Sequence, residues 1–180
     1  MSTKYDFVKE LQFSMDAQQG LDIDIIKRHI PLCVKVEKTD IETDKTGVDY
    51  IAYLKNGAKI NIDAKTRKKG ASKYWPDGVP RIALECWSVV GKKIGWTLDT
   101  STNVDYILYT FDKADCEKYF FFPFQLLRKA FWENGAKWKE KYHIRTQHSK
   151  WGRSSWKSTA MFVPVPVVIE AVTRTMEASV

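Results

Sequence analysis

Apolar and polar positions alternate most cleanly between Gly47 and Arg67, in the stretch GVDYIAYLKNGAKINIDAKTR. Two runs rich in Tyr, Ile and Ala flank Lys55-Asn56-Gly57, and Asn-Gly between such runs predicts a β-hairpin. Loop length decides which side chains face each other. A two-residue loop at Asn56-Gly57 pairs Tyr50 with Asp63 and sends Asp49 to the opposite face. A three-residue loop, closed by Gly57 in the left-handed region, pairs Leu54 with Ala58 and Asp49 with Asp63. A slip of one residue exchanges the two faces, so the apolar pattern can choose between them. The three-residue loop gathers Tyr50, Ala52, Leu54, Ala58, Ile60, Ile62 and Ala64 on one face. It leaves Asp49, Asn61, Asp63 and Lys65 on the other. This register is the predicted one, and it makes the two carboxylates cross-strand neighbours. Opposed carboxylates repel, so a cation is expected between them, either Lys65 or a divalent metal.

The rest of the chain reads as alternating helices and strands. Tyr5 to about Ile30 has helical periodicity, with Phe7, Leu11, Ile25 and Ile26 as buried positions. Gly20 is expected to separate two helices and Pro31 to end the second. Leu32–Val36 follows as a strand, then a charged connection from Glu37 to Thr46. Beyond the hairpin, Thr66–Gly78 is a basic loop. Arg81–Val89, Val104–Phe111 and Lys118–Phe122 are strands. Pro123 suits the first position of a helix over 124–134 with Gly135 as its C-terminal cap. Thr159–Val163 is a strand, and Pro166 to about Glu177 a closing helix. No internal repeat or linker divides the chain, so a single domain over 1–180 of α/β or α+β class is expected.

Composition narrows the function classes. With 180 residues, 44% hydrophobic and 13% aromatic, the chain can build a substantial core. The net charge of +7 is uneven. Residues 1–49 carry seven basic and ten acidic side chains, a net −3, whereas residues 50–180 carry 22 and 12, a net +10. Such a balance favours an anionic partner, most simply nucleic acid. Cys33, Cys86 and Cys116 are isolated and odd in number, which argues against a disulfide framework or zinc site and fits a reducing cytoplasm. Asp6, Lys9 and Glu10 fall where a signal peptide needs an apolar core. The longest apolar run, 161–169, contains Pro164 and Pro166 and is too short to span a bilayer.

Asp49, followed fourteen residues later by Asp63-Ala64-Lys65 at the end of the next strand, resembles the PD-(D/E)XK nuclease superfamily. The flanking Gly47-Val48 and Tyr50-Ile51 are similar to the surroundings of its first acid. Asp63 stands where Glu is more usual, and Val48 replaces the proline. The resemblance spans roughly residues 5–110 by order of elements. It implies a restriction-endonuclease-like fold, a mixed central sheet flanked by helices, of a type found in phages and mobile elements. It implies a magnesium-dependent deoxyribonuclease, with manganese as substitute, acting as an endonuclease on DNA. Duplex is expected over single strands, with the protein a monomer or homodimer in the (host) cytoplasm. Asp49, Asp63 and the Ala64 carbonyl would bind metal, and Lys65 would orient or help deprotonate the attacking water. Magnesium is a hard ion that prefers carboxylate and water oxygens, and phosphodiester hydrolysis needs both an activated water and stabilisation of extra negative charge. The competing expectation is an ordinary hairpin with a surface ion pair. The protein would then be a catalytically silent nucleic-acid-binding or host-interaction module on the same fold.

Further acids could complete such a site. The superfamily often supplies one from the first helix, where Glu10 is the natural candidate, with Asp16 and Gln18 behind it. Glu85 lies in the otherwise apolar IALECWSV, where a charge must face a site, a partner or water. Arg67, Lys68, Lys69 and Lys73 follow the lysine of the motif and are placed for substrate phosphates. Residues 137–157 interleave Lys150, Arg153, Lys157 and other cations with Trp138, Tyr142, Trp151 and Trp156. That mixture fits phosphate contacts with base stacking, and equally a solvated helix and loop with half-buried tryptophans. His143 and His148 read as surface residues or phosphate contacts. No phosphate-binding glycine loop, nucleophile elbow or dinucleotide fingerprint is present.

Overall fold

The computed structural model of the chain describes residues 5–6, 19–40, 46–67, 69–112, 118–151 and 154–179. They form an α+β fold with two five-stranded sheets. The chain divides into two compact units, one of residues 11–71 and 101–125, the other of residues 1–10, 72–100 and 126–180. No described helix is long and apolar enough to cross a membrane.

The first unit begins with helix α1 (Gln19–His29). Its sheet has the order β2 (Cys33–Lys38), β3 (Tyr50–Leu54), β4 (Lys59–Arg67), β7 (Tyr106–Phe111), β8 (Tyr119–Pro123). It is mixed, because β4 and β7 run parallel while the other neighbours are antiparallel. Ile25 and Ile26 of α1 are fully buried against Val36, Tyr50, Ala52, Ile62 and Leu108. The apolar face assigned to the hairpin is therefore the core face, except that Ala58 at the turn is exposed. Gly20 is the second residue of α1, the residues 7–18 before it lie outside the described ones, and Tyr5–Asp6 is the short strand β1 instead of a helix start. Phe7 and Leu11 lie outside the described residues.

The second unit holds a sheet of order β1, β9 (Ile144–Trp151), β10 (Ser154–Pro164), β5 (Arg81–Val89), β6 (Lys93–Ile94). Helix α2 runs from Phe124 to Lys141, seven residues beyond the expected end at 134. A glycine inside a helix costs about 1 kcal/mol, but Phe131 and Trp138, two turns apart, are both buried with ring centroids 6.1 Å apart. That packing outweighs the cap signal of Gly135. Helix α3 (Val165–Glu177) starts beside Pro164 and Pro166, and buries Val165, Val168, Ala171 and Val172. Between Thr159 and Ala160 the pairing of β10 with β5 shifts, leaving Cys86 as an extra residue in β5. Gly95 packs on this bulge: its N–H donates to the Cys86 carbonyl at 3.0 Å, and a Cβ there would lie 2.3 Å from the Glu85 carbonyl oxygen. Only a glycine allows that backbone approach.

Candidate active site

The hairpin adopts the predicted register. Tyr50 pairs with Ile62, Ala52 with Ile60 and Tyr53 with Lys59, the register that, carried one residue beyond the ladder, sets Asp49 opposite Asp63. The Gly57 N–H donates to the Leu54 carbonyl and the Leu54 N–H to the Ala58 carbonyl, both at 2.9 Å, and Gly57 has φ +84°. This is the three-residue loop with its glycine in the left-handed region, which L side chains enter only with strain.

Asp49 stands one residue before β3, at the point where the chain leaves the ladder. Its own N–H donates to the Ile62 carbonyl at 2.9 Å. Its carbonyl accepts from the N–H (2.9 Å) and hydroxyl (3.1 Å) of Thr39. The next donor along β4, the Ala64 N–H, has lost its backbone partner and donates to Asp49 Oδ2 at 2.7 Å. A hydrogen bond to an ionised acceptor is short and strong, so this one fixes the carboxylate against the strand that carries Asp63. Ala64 thus holds the Asp49 carboxylate through its N–H.

Asp63 alternates with Ala64 and Lys65 along β4, so Asp63, Lys65 and Arg67 share one face. Asp63 is 3% exposed and lies beside Ile107 of β7, which is fully buried. The Lys65 ammonium sits 2.6 Å from Asp63 Oδ1, the carboxylate being almost entirely buried and the lysine side chain one-third exposed. Among the described residues that oxygen has no aligned hydrogen-bond donor, so the contact is a charge pair. Of the two cations expected between the carboxylates, Lys65 is the one the chain itself provides.

A third carboxylate comes from α1. Asp22, in the first turn of that helix, is 3% exposed. The buried Tyr50 hydroxyl donates to its Oδ2 at 3.1 Å, and its Oδ1 is buried without a hydrogen-bond partner among the described residues. Burial pushes its pKa up to about 6, opposed by the Tyr50 hydrogen bond and reinforced by the charge of Asp49. The carboxylates of Asp22 and Asp49 therefore feel one another. The sequence pointed to Glu10 for a helix acid, with Asp16 and Gln18 behind it, and all three lie outside the described residues. The signal for Asp22 was present, as an acid four residues before the buried Ile26 on an amphipathic helix, but only the tertiary contact with Tyr50 singles it out. Burial also keeps the Tyr50 hydroxyl protonated far above its ordinary range.

The other expected residues are distributed as follows. Arg67 ends β4 half-buried, and Lys69 is exposed two residues later. Lys73 belongs to the second unit, where its ammonium lies 4.9 Å from the Tyr74 ring centroid. Glu85 also belongs to the second unit. Its Oε2 accepts from the Ser88 hydroxyl at 2.6 Å and the Trp96 N–H at 3.3 Å, so the charge in that apolar strand is satisfied locally. Lys150 and Lys157 are exposed on β9 and β10, and His143 and His148 are surface residues. Lys68 and Arg153 lie outside the described residues. Cys33 and Cys86 are free thiols.

Among the described residues no three His, Cys, Asp or Glu side chains converge as a ready-made cation site. Magnesium is commonly held by one or two carboxylates, with waters and substrate phosphates completing its shell. Asp49 and Asp63, two hard oxygen donors contributed by the two arms of the hairpin, fit that habit, whereas Asp22 lies with Tyr50 on the core face. Compared with protein families, curated proteins and solved structures, the chain matches none.

Proposed function

We propose that the protein is a magnesium-dependent nuclease that hydrolyses DNA phosphodiester bonds at Asp49, Asp63 and Lys65. The observation that carries this reading is the register of the hairpin, whose continuation by one residue would put Asp49 opposite Asp63, with the Asp49 carboxylate on the Ala64 N–H and Lys65 2.6 Å from the Asp63 carboxylate. Asp49 and Asp63 would hold the ion, and Asp22 would add negative charge from behind. When bound, magnesium supplies Lewis-acid charge stabilisation and lowers the pKa of a water. The chain's own residues do the rest. The Ala64 N–H keeps Asp49 aimed, and the apolar wall of Ile107 lowers the local dielectric, which strengthens every charge interaction at Asp63. Lys65, 2.6 Å from Asp63, would hold the attacking water and offset charge on the phosphate. Arg67 and Lys69, just beyond, suit backbone phosphates. This matches what the resemblance to PD-(D/E)XK nucleases implies.

A second reading draws on the same ion pair. Lys65 alone offsets the repulsion between the two carboxylates, as it would in a catalytically silent nucleic-acid-binding protein. Incubating supercoiled plasmid and single-stranded circles with wild type, Asp63→Asn and Lys65→Ala separates the two readings. The nuclease reading expects cleavage that needs magnesium or manganese, stops with EDTA and falls at least about 100-fold in either variant. Intact DNA in every lane with both metals would remove it.

A further inference from the structure

We infer that one face of the sheet in the second unit is a binding platform for unpaired nucleic acid, with Trp87 as its stacking residue. Residues directly opposite each other in a β-ladder project to the same face. In the β9–β10 hairpin His148 lies opposite Lys157, and Lys150 opposite Ser155. All four are exposed. Thr159, two residues after Lys157 on the same face, lies opposite Trp87 of β5. The platform therefore runs from Lys150 and His148 through Lys157 to Trp87 without changing sides. The Val90 N–H donates to the Lys157 carbonyl at 2.8 Å, which ties the Trp87 segment to this part of β10.

Two features identify the occupant. The first is charge: β5, β9 and β10 place two lysines and a histidine on this face and no carboxylate, with Asp6 of β1 opposite Lys150 at its outer edge. Glu85, the acid of these strands, pairs with Ala160 and so projects to the other side. The second is Trp87, which is 39% exposed although tryptophan carries more burial energy than almost any side chain. The bulge at Cys86 lets Trp87 pair with Thr159 after Glu85 has paired with Ala160, which holds it on the basic side. Cations tracking a backbone beside an exposed aromatic ring on a rigid sheet suit an unpaired strand, whose bases can stack on the indole. A duplex keeps its bases stacked on each other and offers the ring no partner. The lysines were legible in the sequence as phosphate contacts, but Trp87 and the strandedness were not. This inference stands whether or not the chain cuts DNA.

The test is fluorescence anisotropy of labelled oligodeoxythymidylate, of about 16 nucleotides to cover one site, and of a duplex of equal length. EDTA is present throughout, so hydrolysis plays no part. The single strand should bind more tightly than the duplex. Trp87→Ala should weaken it by roughly 5- to 100-fold, the range for losing one stacked base, while Trp87→Tyr restores most of the affinity. The lysines are exposed, so Lys150→Gln/Lys157→Gln leaves the fold intact. That pair should reduce the slope of log K against log salt by about 1.4, at roughly 0.7 per phosphate on a single strand. Equal or tighter duplex binding, an unchanged slope, no binding at all, or a Trp87→Tyr variant as weak as Trp87→Ala would each overturn the inference.

Discussion

The Ala64 N–H donates to Asp49 Oδ2 at 2.7 Å, so a carboxylate takes the place that a backbone carbonyl would hold one step further up the ladder. Asp49 is therefore a structural acceptor as well as a candidate metal ligand, and substitutions can separate the roles. Asp49→Asn keeps an oxygen acceptor and loses the charge. It should unfold within about 1 kcal/mol of wild type, because a neutral acceptor replaces an ionised one. If the proposed site binds magnesium, the ion should stabilise wild type by about 2.7 kcal/mol at a hundred times the dissociation constant, and Asp49→Asn should abolish that rise in Tm. Asp49→Ala also strands the Ala64 N–H and should cost a further 1–3 kcal/mol or so. Thermal unfolding with and without magnesium reads all three.

Lys65→Ala leaves the Asp63 carboxylate buried without its cation. Breaking a fully buried pair costs about 3–5 kcal/mol, but Lys65 is one-third exposed, so roughly 1–3 kcal/mol is expected. Urea unfolding at neutral pH measures it. If Lys65→Ala is as stable as wild type, the ammonium does not hold Asp63 in place.

Asp22 makes stability depend on pH. Its native pKa of about 6 lies above its unfolded value near 3.8, so the native state holds the extra proton between those limits. Stability contributed by that proton is complete below about pH 4 and is lost as pH rises through about 6. Converted directly, the shift corresponds to at most about 3 kcal/mol. Asp22→Asn should erase this slope and be the more stable protein above pH 6. The difference between the two urea midpoints across pH 4–7.5 isolates the contribution of this one group. A constant difference would show that Asp22 is not the group that titrates.

Gly57 sets the hairpin register through φ +84°, with nothing within 4 Å of an added Cβ. Gly57→Ala should therefore cost conformational energy alone, about 1–2 kcal/mol, and Gly57→Asn less. Equilibrium unfolding of both variants checks the ordering. An alanine variant as stable as wild type would mean the loop has another conformation open to it.

The residues of the candidate site show where local information ends. The alternation of Tyr50, Ala52, Ile60 and Ile62, with Asn56-Gly57 between the runs, was enough to choose the register that, carried one residue further, sets Asp49 against Asp63. Burial acts on each residue of a strand pair with a period of two, and only one register satisfies it. Trp87 and Asp22 were different. Asp22 is defined by Tyr50, 28 positions away, and Trp87 by a bulge that forms only where β5 meets β10. Periodicity alone singles out neither.

By itself the sequence determined β2 to β5, β7, β8, the second half of β10, the closing helix, the hairpin register and the side of β4 that carries Asp63 and Lys65. Those features follow from backbone preferences and apolar spacing within one or two elements. The sequence did not determine β1, β6 or the β9–β10 hairpin, where residues 137–157 read as helix and loop. Only the tertiary structure decided that the strands part into two sheets, and that α2 runs on through Gly135 because Trp138 packs on Phe131. It alone decided that Asp22 of α1 is buried against the Tyr50 hydroxyl. Pairings such as β4 with β7 and β5 with β10 join segments far apart in the chain. Their free energy comes from surface buried between elements, which no single element encodes.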